Sequence, residues 1–142
     1  METKFNFNSQ VCTNRFQSER LLALGLKKET ADMAQIENWD YDLKDGKFFT
    51  GEYFERPIDY VEGMTGHYIP AWSLHRLIEM MPTLIGWRDK QYWLDVNNDG
   101  VCYSTRMSYA LVEFIADNLY DNIIFCIEWL IKEGYFNKEY LV

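Results

Sequence analysis

The chain has 142 residues, the length of one domain, and a chain of this size buries roughly 68–70% of its unfolded surface, so no disulfide or metal staple is required. With 48% hydrophobic and 17% aromatic residues against 25% charged, the composition excludes a disordered chain. The net charge is −8, and residues 32–62 carry nine acids (Asp32, Glu37, Asp40, Asp42, Asp45, Glu52, Glu55, Asp59, Glu62) against Lys44, Lys47 and Arg56; binding to a polyanion draws on counterions released by Lys and Arg, so this balance disfavours nucleic acid and favours a basic partner or simple solubility.

In chain order, METKFNFNSQ shows no apolar run behind its charges, and no window approaches the ~18 apolar residues of a membrane span. A cytoplasmic protein with no membrane partner is expected. Cys12, Cys102 and Cys126 are odd in number and widely spaced, which writes neither a disulfide framework nor a zinc knuckle. The first helix is expected over about Arg15–Leu24: Asn14 and Gln17 have the N-cap and N3 spacing of a capping box, and Gly25 suits the left-handed residue that follows a helix. KKETADM suggests a further short helical turn.

WDYDLKDGKFFTGEYF places Asp45-Gly46 between ring-rich runs, which predicts strands at about 38–43 and 47–54 joined by a two-residue type I′ turn. RPIDYVEGMTGHY, with Pro57, Gly63 and Gly66, reads as an irregular connection. In IPAWSLHRLIEMMP, Ser73 is an N-cap, Trp72 and Leu77 have staple spacing, and Pro82 ends a helix over 74–81. Leu74, Leu77, Ile78, Met80 and Met81 share one side of it, leaving His75, Arg76 and Glu79 on the other.

KQYWLDVNNDGVCYSTRM alternates Tyr92, Leu94, Val96 and then Val101, Tyr103, Thr105 about a turn, the pattern of a hairpin, and ALVEFIA predicts a third strand over 110–116. Asn118 then caps a helix over 119–133, with Asp121 at N3 and Gly134 as its stop. Leu119, Tyr120, Ile123, Ile124, Ile127, Leu130 and Ile131 form its apolar stripe, which should cross the sheet as the centre of the core. Phe125 and Trp129, four residues apart, project from the side shared by Asp121, Glu128 and Lys132. Either the tail YFNKEYLV folds back over them or they meet a partner.

Four patterns carry possible chemistry. His75 and Glu79 share a helical face, but two ligands do not make a metal site, and His67 is the only other histidine. DVNNDG opens like a calcium loop, yet the twelfth position is Arg106 where a bidentate glutamate belongs, so a plain hairpin turn is the expectation. LLALGLKKETADM has the form of a helix-turn-helix, although its second helix would present Glu29, Asp32 and Glu37 to phosphates. The three cysteines sit where the residue is ordinarily a small buried hydrophobe, and G-x-S-x-G, G-x-x-x-x-G-K-[ST], G-x-G-x-x-G and H-E-x-x-H are absent. No catalytic residue, metal or cofactor is expected.

NRFQSERLLALGLKKETADM, IPAWSLHRLIEMMP and DNLYDNIIFCIEWLIKEGY together resemble a group of small uncharacterised proteins of phages and integrated mobile elements of Bacteroides-type gut bacteria. These are packing and capping motifs, so the resemblance implies a shared fold and a mobile-element origin and carries no functional residues. The expected architecture is a single α+β domain over 1–142: an antiparallel sheet packed against a long C-terminal helix, with shorter helices near the N-terminus and at 74–81. The expected function is a non-catalytic protein-interaction factor that binds a host protein, with a small-molecule or nucleotide binder and a cryptic enzyme as rivals. Its candidate surface comprises Trp39, Tyr41, Phe48, Phe49, Tyr53, Phe54, Tyr60 and Tyr68 among acids, together with Phe125 and Trp129. Half of these rings could equally be the inner face of a sheet.

Overall fold

The computed structural model describes residues 9–64 and 67–142. The N-terminal residues before Ser9, and Gly66 of the expected irregular connection, lie outside the described residues. Helix α1 runs Arg15–Ala23, and its capping box forms as the sequence predicts, with the Asn14 side chain accepting from the Gln17 N–H and the Gln17 side chain accepting from the Asn14 N–H. Gly25, at φ +103°, turns the chain out of it. The KKETADM segment contributes only a 3-10 turn at Lys28–Thr30. Strand β1, Met33–Asp42, begins immediately afterwards, so a second helix of a helix-turn-helix does not form.

Strand β2, Gly46–Pro57, returns antiparallel to β1, and strand β3, Tyr68–Ala71, pairs with the other edge of β1 to give the order β2-β1-β3. The hairpin departs from the two-residue turn expected. Asp42 pairs with Gly46, which leaves a three-residue loop. Asp42 Oδ1 accepts from the Lys44 N–H at 2.7 Å, and Gly46 supplies the positive φ of 82°, the arrangement of a loop closed by a glycine bulge. β3 was hidden in the sequence by Pro70, which is tolerated here because β3 is an edge strand.

Helix α2, Leu74–Met80, is capped by Ser73, whose hydroxyl accepts from the Arg76 N–H at 3.1 Å. Strands β4, Leu84–Trp87, β5, Lys90–Asn97, β6, Gly100–Ser104, and β7, Ala110–Phe114, then form a second sheet in chain order. The single antiparallel sheet expected is therefore two. Helix α3, Leu119–Glu133, is capped by Asn118 accepting from the Asp121 N–H and is stopped by Gly134 in the left-handed region.

α3 packs across β6 and β7 and touches α1 and α2. Tyr120, Ile123, Ile124, Ile127 and Leu130 of its stripe are buried, and they meet Leu21, Trp72, Leu77, Val101 and Tyr103 in the principal core. Each such aliphatic side chain contributes about 1.5–3 kcal/mol relative to exposure, so packing rather than capping holds this layer. A separate small cluster of Ala34, Ile36 and Val61, with Phe54 and Ile58 against it, sits at the base of the three-stranded sheet.

Buried polar bonds fasten that sheet to the rest. The Trp72 N–H donates to Thr13 Oγ1 at 3.0 Å, Gln35 Nε2 donates to the Thr13 carbonyl at 3.0 Å, and Asp32 accepts from both the N–H and the hydroxyl of Ser73. At the other end Leu26 and Leu141 form a bridge, and the Lys27 N–H donates to the Tyr140 carbonyl at 2.8 Å.

Candidate interaction surface

The β1–β2 hairpin is longer than the sheet that supports it. β3 pairs with β1 only from Met33 to Ile36, so residues 37–50 stand beyond it as a two-stranded arm. Alternation puts a ring on nearly every turn of the pleat, and the burial pattern of β1 changes from mostly buried to wholly exposed along its length. Leu43 at the tip is 95% exposed and Tyr41 is 66% exposed, while Trp39 and Phe48 are exposed beside them. A two-stranded arm of this kind is marginally stable by itself. It is tied to the body at its base by Ile36 opposite Tyr68 of β3 and by the Glu37 N–H, which donates to the His67 carbonyl at 3.4 Å.

A bulge interrupts the arm. Glu37 pairs with Tyr53 and Trp39 with Phe49, so Asn38 alone faces residues 50–52. Gly51 takes the positive φ of 86° there, and Thr50 Oγ1 donates to the Asn38 carbonyl at 2.8 Å. The bulge brings rings into a continuous row: Trp39 and Phe49 are 5.7 Å apart between centroids, and Phe49 and Tyr53 are 5.5 Å apart, edge to face. It also twists an edge strand away from flat pairing with another chain.

Phe54 and Tyr60 form a second ring pair, 6.4 Å apart and nearly perpendicular. This pair and Trp39 line an open hollow of about 490 Å³, together with Ile36, Glu37, Lys47, Met64 and His67. The Trp39 indole N–H donates to Glu37 Oε2 at 3.0 Å. Cations of the chain lie on the ring faces: Lys47 Nζ is 5.6 Å from the Trp39 centroid, and Arg56 Cζ is 4.9 Å from Phe54 and 5.8 Å from Tyr60.

The expected surface residues thus divide. Trp39, Tyr41, Phe48, Tyr60 and Tyr68 are exposed. Phe49 and Tyr53 are half-buried in the ring row, and Phe54 is half-buried against the small core of the three-stranded sheet. Phe125 and Trp129 lie far along the chain on α3. Trp129 packs on the principal core and stacks on Tyr135 at 5.7 Å, so the tail does fold over it. Phe125 stays 39% exposed under the Arg20 guanidinium, 5.0 Å from its centroid, and Arg20 pairs with Glu128.

Glu37, Lys47, Met64 and His67 join the rings at the hollow although none is among the expected surface residues. Glu37 and Trp39 are two residues apart, the spacing of one strand face. That signal was available only to a strand begun before residue 38.

His75 Nε2 lies 3.3 Å from Glu79 Oε1, and the histidine side chain is 86% exposed. Among the described residues no three His, Cys, Asp or Glu side chains come together as a metal set. DVNNDG is the turn of the β5–β6 hairpin, with Asn97 opposite Gly100. Burial pushes the thiols of Cys12 and Cys126 up to about 12. They are protonated at neutral pH, when a nucleophile must be a thiolate. Among the described residues no helix is long and apolar enough to cross a membrane. No protein-family model, curated protein or solved structure matches the chain.

Proposed function

We propose that the chain is a non-catalytic protein-interaction factor that presents the outer β1–β2 hairpin to a basic partner. In this reading it is an accessory protein of a phage or mobile element, and its partner is a host protein that handles nucleic acid or serves in defence. The observation that carries the proposal is the arm itself. Trp39, Tyr41, Leu43 and Phe48 are exposed on a hairpin that little of the described chain covers. Apolar patches of this kind are uncommon on a protein with no partner, and rings supply much of the energy at interface hot spots. The acids of residues 32–62 give the same region its negative field, which accelerates encounter with a cationic surface.

The test is capture from an extract of a Bacteroides-type host by the tagged chain and by its Tyr41→Ser, Phe48→Ser double variant. Both positions are exposed, so the variant keeps the fold. The reading expects a basic protein that the wild type retains and the variant loses. Retention of the same proteins by both would overturn it.

The hollow beside the arm favours a second reading, a small-ligand binder, since its volume of about 490 Å³ falls in the ~300–1,000 Å³ range of such sites. Glu37 on its wall and the surrounding acids work against a phosphate-bearing ligand. Native mass spectrometry of the purified chain, with and without dialysis under denaturing conditions, separates this reading from the first.

A further inference from the structure

We infer that the hollow lined by Trp39 and the Phe54–Tyr60 pair is the socket for an arginine side chain of the basic partner, with Glu37 as the carboxylate that pairs with its guanidinium. The inference rests on the reading of the arm as an interaction surface and says which chemistry is recognised there. Three observations carry it.

The first is the character of the walls. Trp39, Phe54 and Tyr60 all line one opening, and the faces of such rings attract cations within about 6 Å of the centroid. The chain already uses them so: Lys47 lies 5.6 Å from Trp39, and Arg56 lies 4.9 Å from Phe54. Those contacts are made at the surface, where a cation can exchange its ring for water at little cost.

The second is Glu37. An ionised carboxylate has about four acceptor positions, and the Trp39 indole N–H takes one at 3.0 Å. That bond holds the carboxylate beside the ring, so a cation entering the hollow meets stacking and an ion pair together. A guanidinium can do both at once, because it is flat and weakly hydrated and keeps its in-plane N–H groups free while its face lies on a ring. An ammonium is a compact, strongly hydrated charge and gains less from the ring faces.

The third is the field. Residues 32–62, which supply the rings and Glu37, carry nine acids against Lys44, Lys47 and Arg56, so the field of this segment favours the approach of a cationic group. Lys47 and Arg56 are the chain's own cations on these ring faces, and the incoming guanidinium takes the Trp39 face in place of Lys47.

The test uses the full chain and a blocked glycine–arginine peptide, compared by calorimetry with its lysine counterpart of equal length and charge. The arginine peptide is expected to bind about five- to tenfold more tightly. Glu37→Gln abolishes that preference, whereas Asp45→Asn, which removes the same charge from the exposed loop, leaves it intact. Lys47→Ala strengthens arginine binding more than Lys44→Ala does, although both remove one positive charge. Equal binding of the two peptides, or equal effects of Glu37→Gln and Asp45→Asn, overturns the socket. If a basic protein is still captured through Tyr41 and Phe48 while the peptides go undistinguished, the socket is wrong and the interaction surface stands. If the peptides are distinguished but capture ignores Tyr41 and Phe48, the surface is wrong and the socket stands.

Discussion

Single residues decide where the elements of this chain start and stop. Asn118 accepts from the Asp121 N–H at 3.2 Å and so satisfies one of the unpaired donors at the start of α3. Asn118→Ala is expected to cost about 1 kcal/mol, read as a lowered denaturation midpoint at unchanged slope. Gly100 is constrained differently. A Cβ there would meet the Phe114 carbonyl oxygen at 2.3 Å and Ile115 Cγ1 at 3.2 Å, so the strand itself would have to shift. Gly100→Ala should destabilise by about 1–3 kcal/mol, the range for overpacking. The buried thiols make stability depend on pH in a definite direction. Cys12 and Cys126 are raised from an ordinary value of 9.0 to about 12, so between those values the unfolded chain releases protons that the folded chain keeps. Their stabilising contribution is complete below pH 9 and is lost as pH rises toward 12. The contribution of these thiols to the denaturant midpoint should therefore be constant around neutrality and fall only above about pH 9, and Cys126→Ala should make the fall shallower.

At the scale of elements, the β4–β5 hairpin contains a turn that no glycine or asparagine announces. Trp87 pairs with Lys90, leaving Arg88 and Asp89 as a two-residue turn at φ +48° and +64°. Both signs are those of type I′, which favours Asn-Gly. Arg88→Asn with Asp89→Gly should raise stability by about 1 kcal/mol, seen in the thermal midpoint, because the strain of two side chains at positive φ is relieved. The arm and the core should respond oppositely to substitution. Trp72 is fully buried and its indole N–H donates to Thr30 Oγ1 at 2.9 Å, so Trp72→Ala should cost about 3–5 kcal/mol. Tyr41→Ser with Phe48→Ser should stay within about 0.5 kcal/mol of the wild type at each exposed site while changing binding.

For the molecule as a whole, a net charge of −8 makes association with a basic partner salt-dependent. Raising ionic strength from low to about 0.15 M shortens the screening length to about 8 Å, and the association rate should fall much more than the dissociation rate rises. Stopped-flow mixing at several salt concentrations checks this. α3 packs on the four-stranded sheet and touches α1 and α2, and what is legible in the residues alone follows from how local each contact is. The caps at Asn14, Ser73 and Asn118 and the stripe of α3 are local: each depends on residues within one or two turns, and all appear as the sequence indicates. The β5–β6 hairpin is local in the same sense. β3 and the first half of β1 are not. Their pairing joins residues more than thirty positions apart in register, such as Met33 with Ala71, and a short run containing Pro70 carries no strand signal until β1 is beside it. The division of rings in the arm was undecidable locally for the same reason, since Phe54 and Trp39 look alike in sequence and differ only in what packs against them. An acidic, ring-rich α+β chain and the ends of its helices are thus written in the residues alone, because caps and helical stripes act over one or two turns. Tertiary structure alone decided that there are two sheets, that the hairpin outruns its support, and that Glu37 meets Trp39 at the mouth of a hollow, because those follow from which distant strands exclude water together.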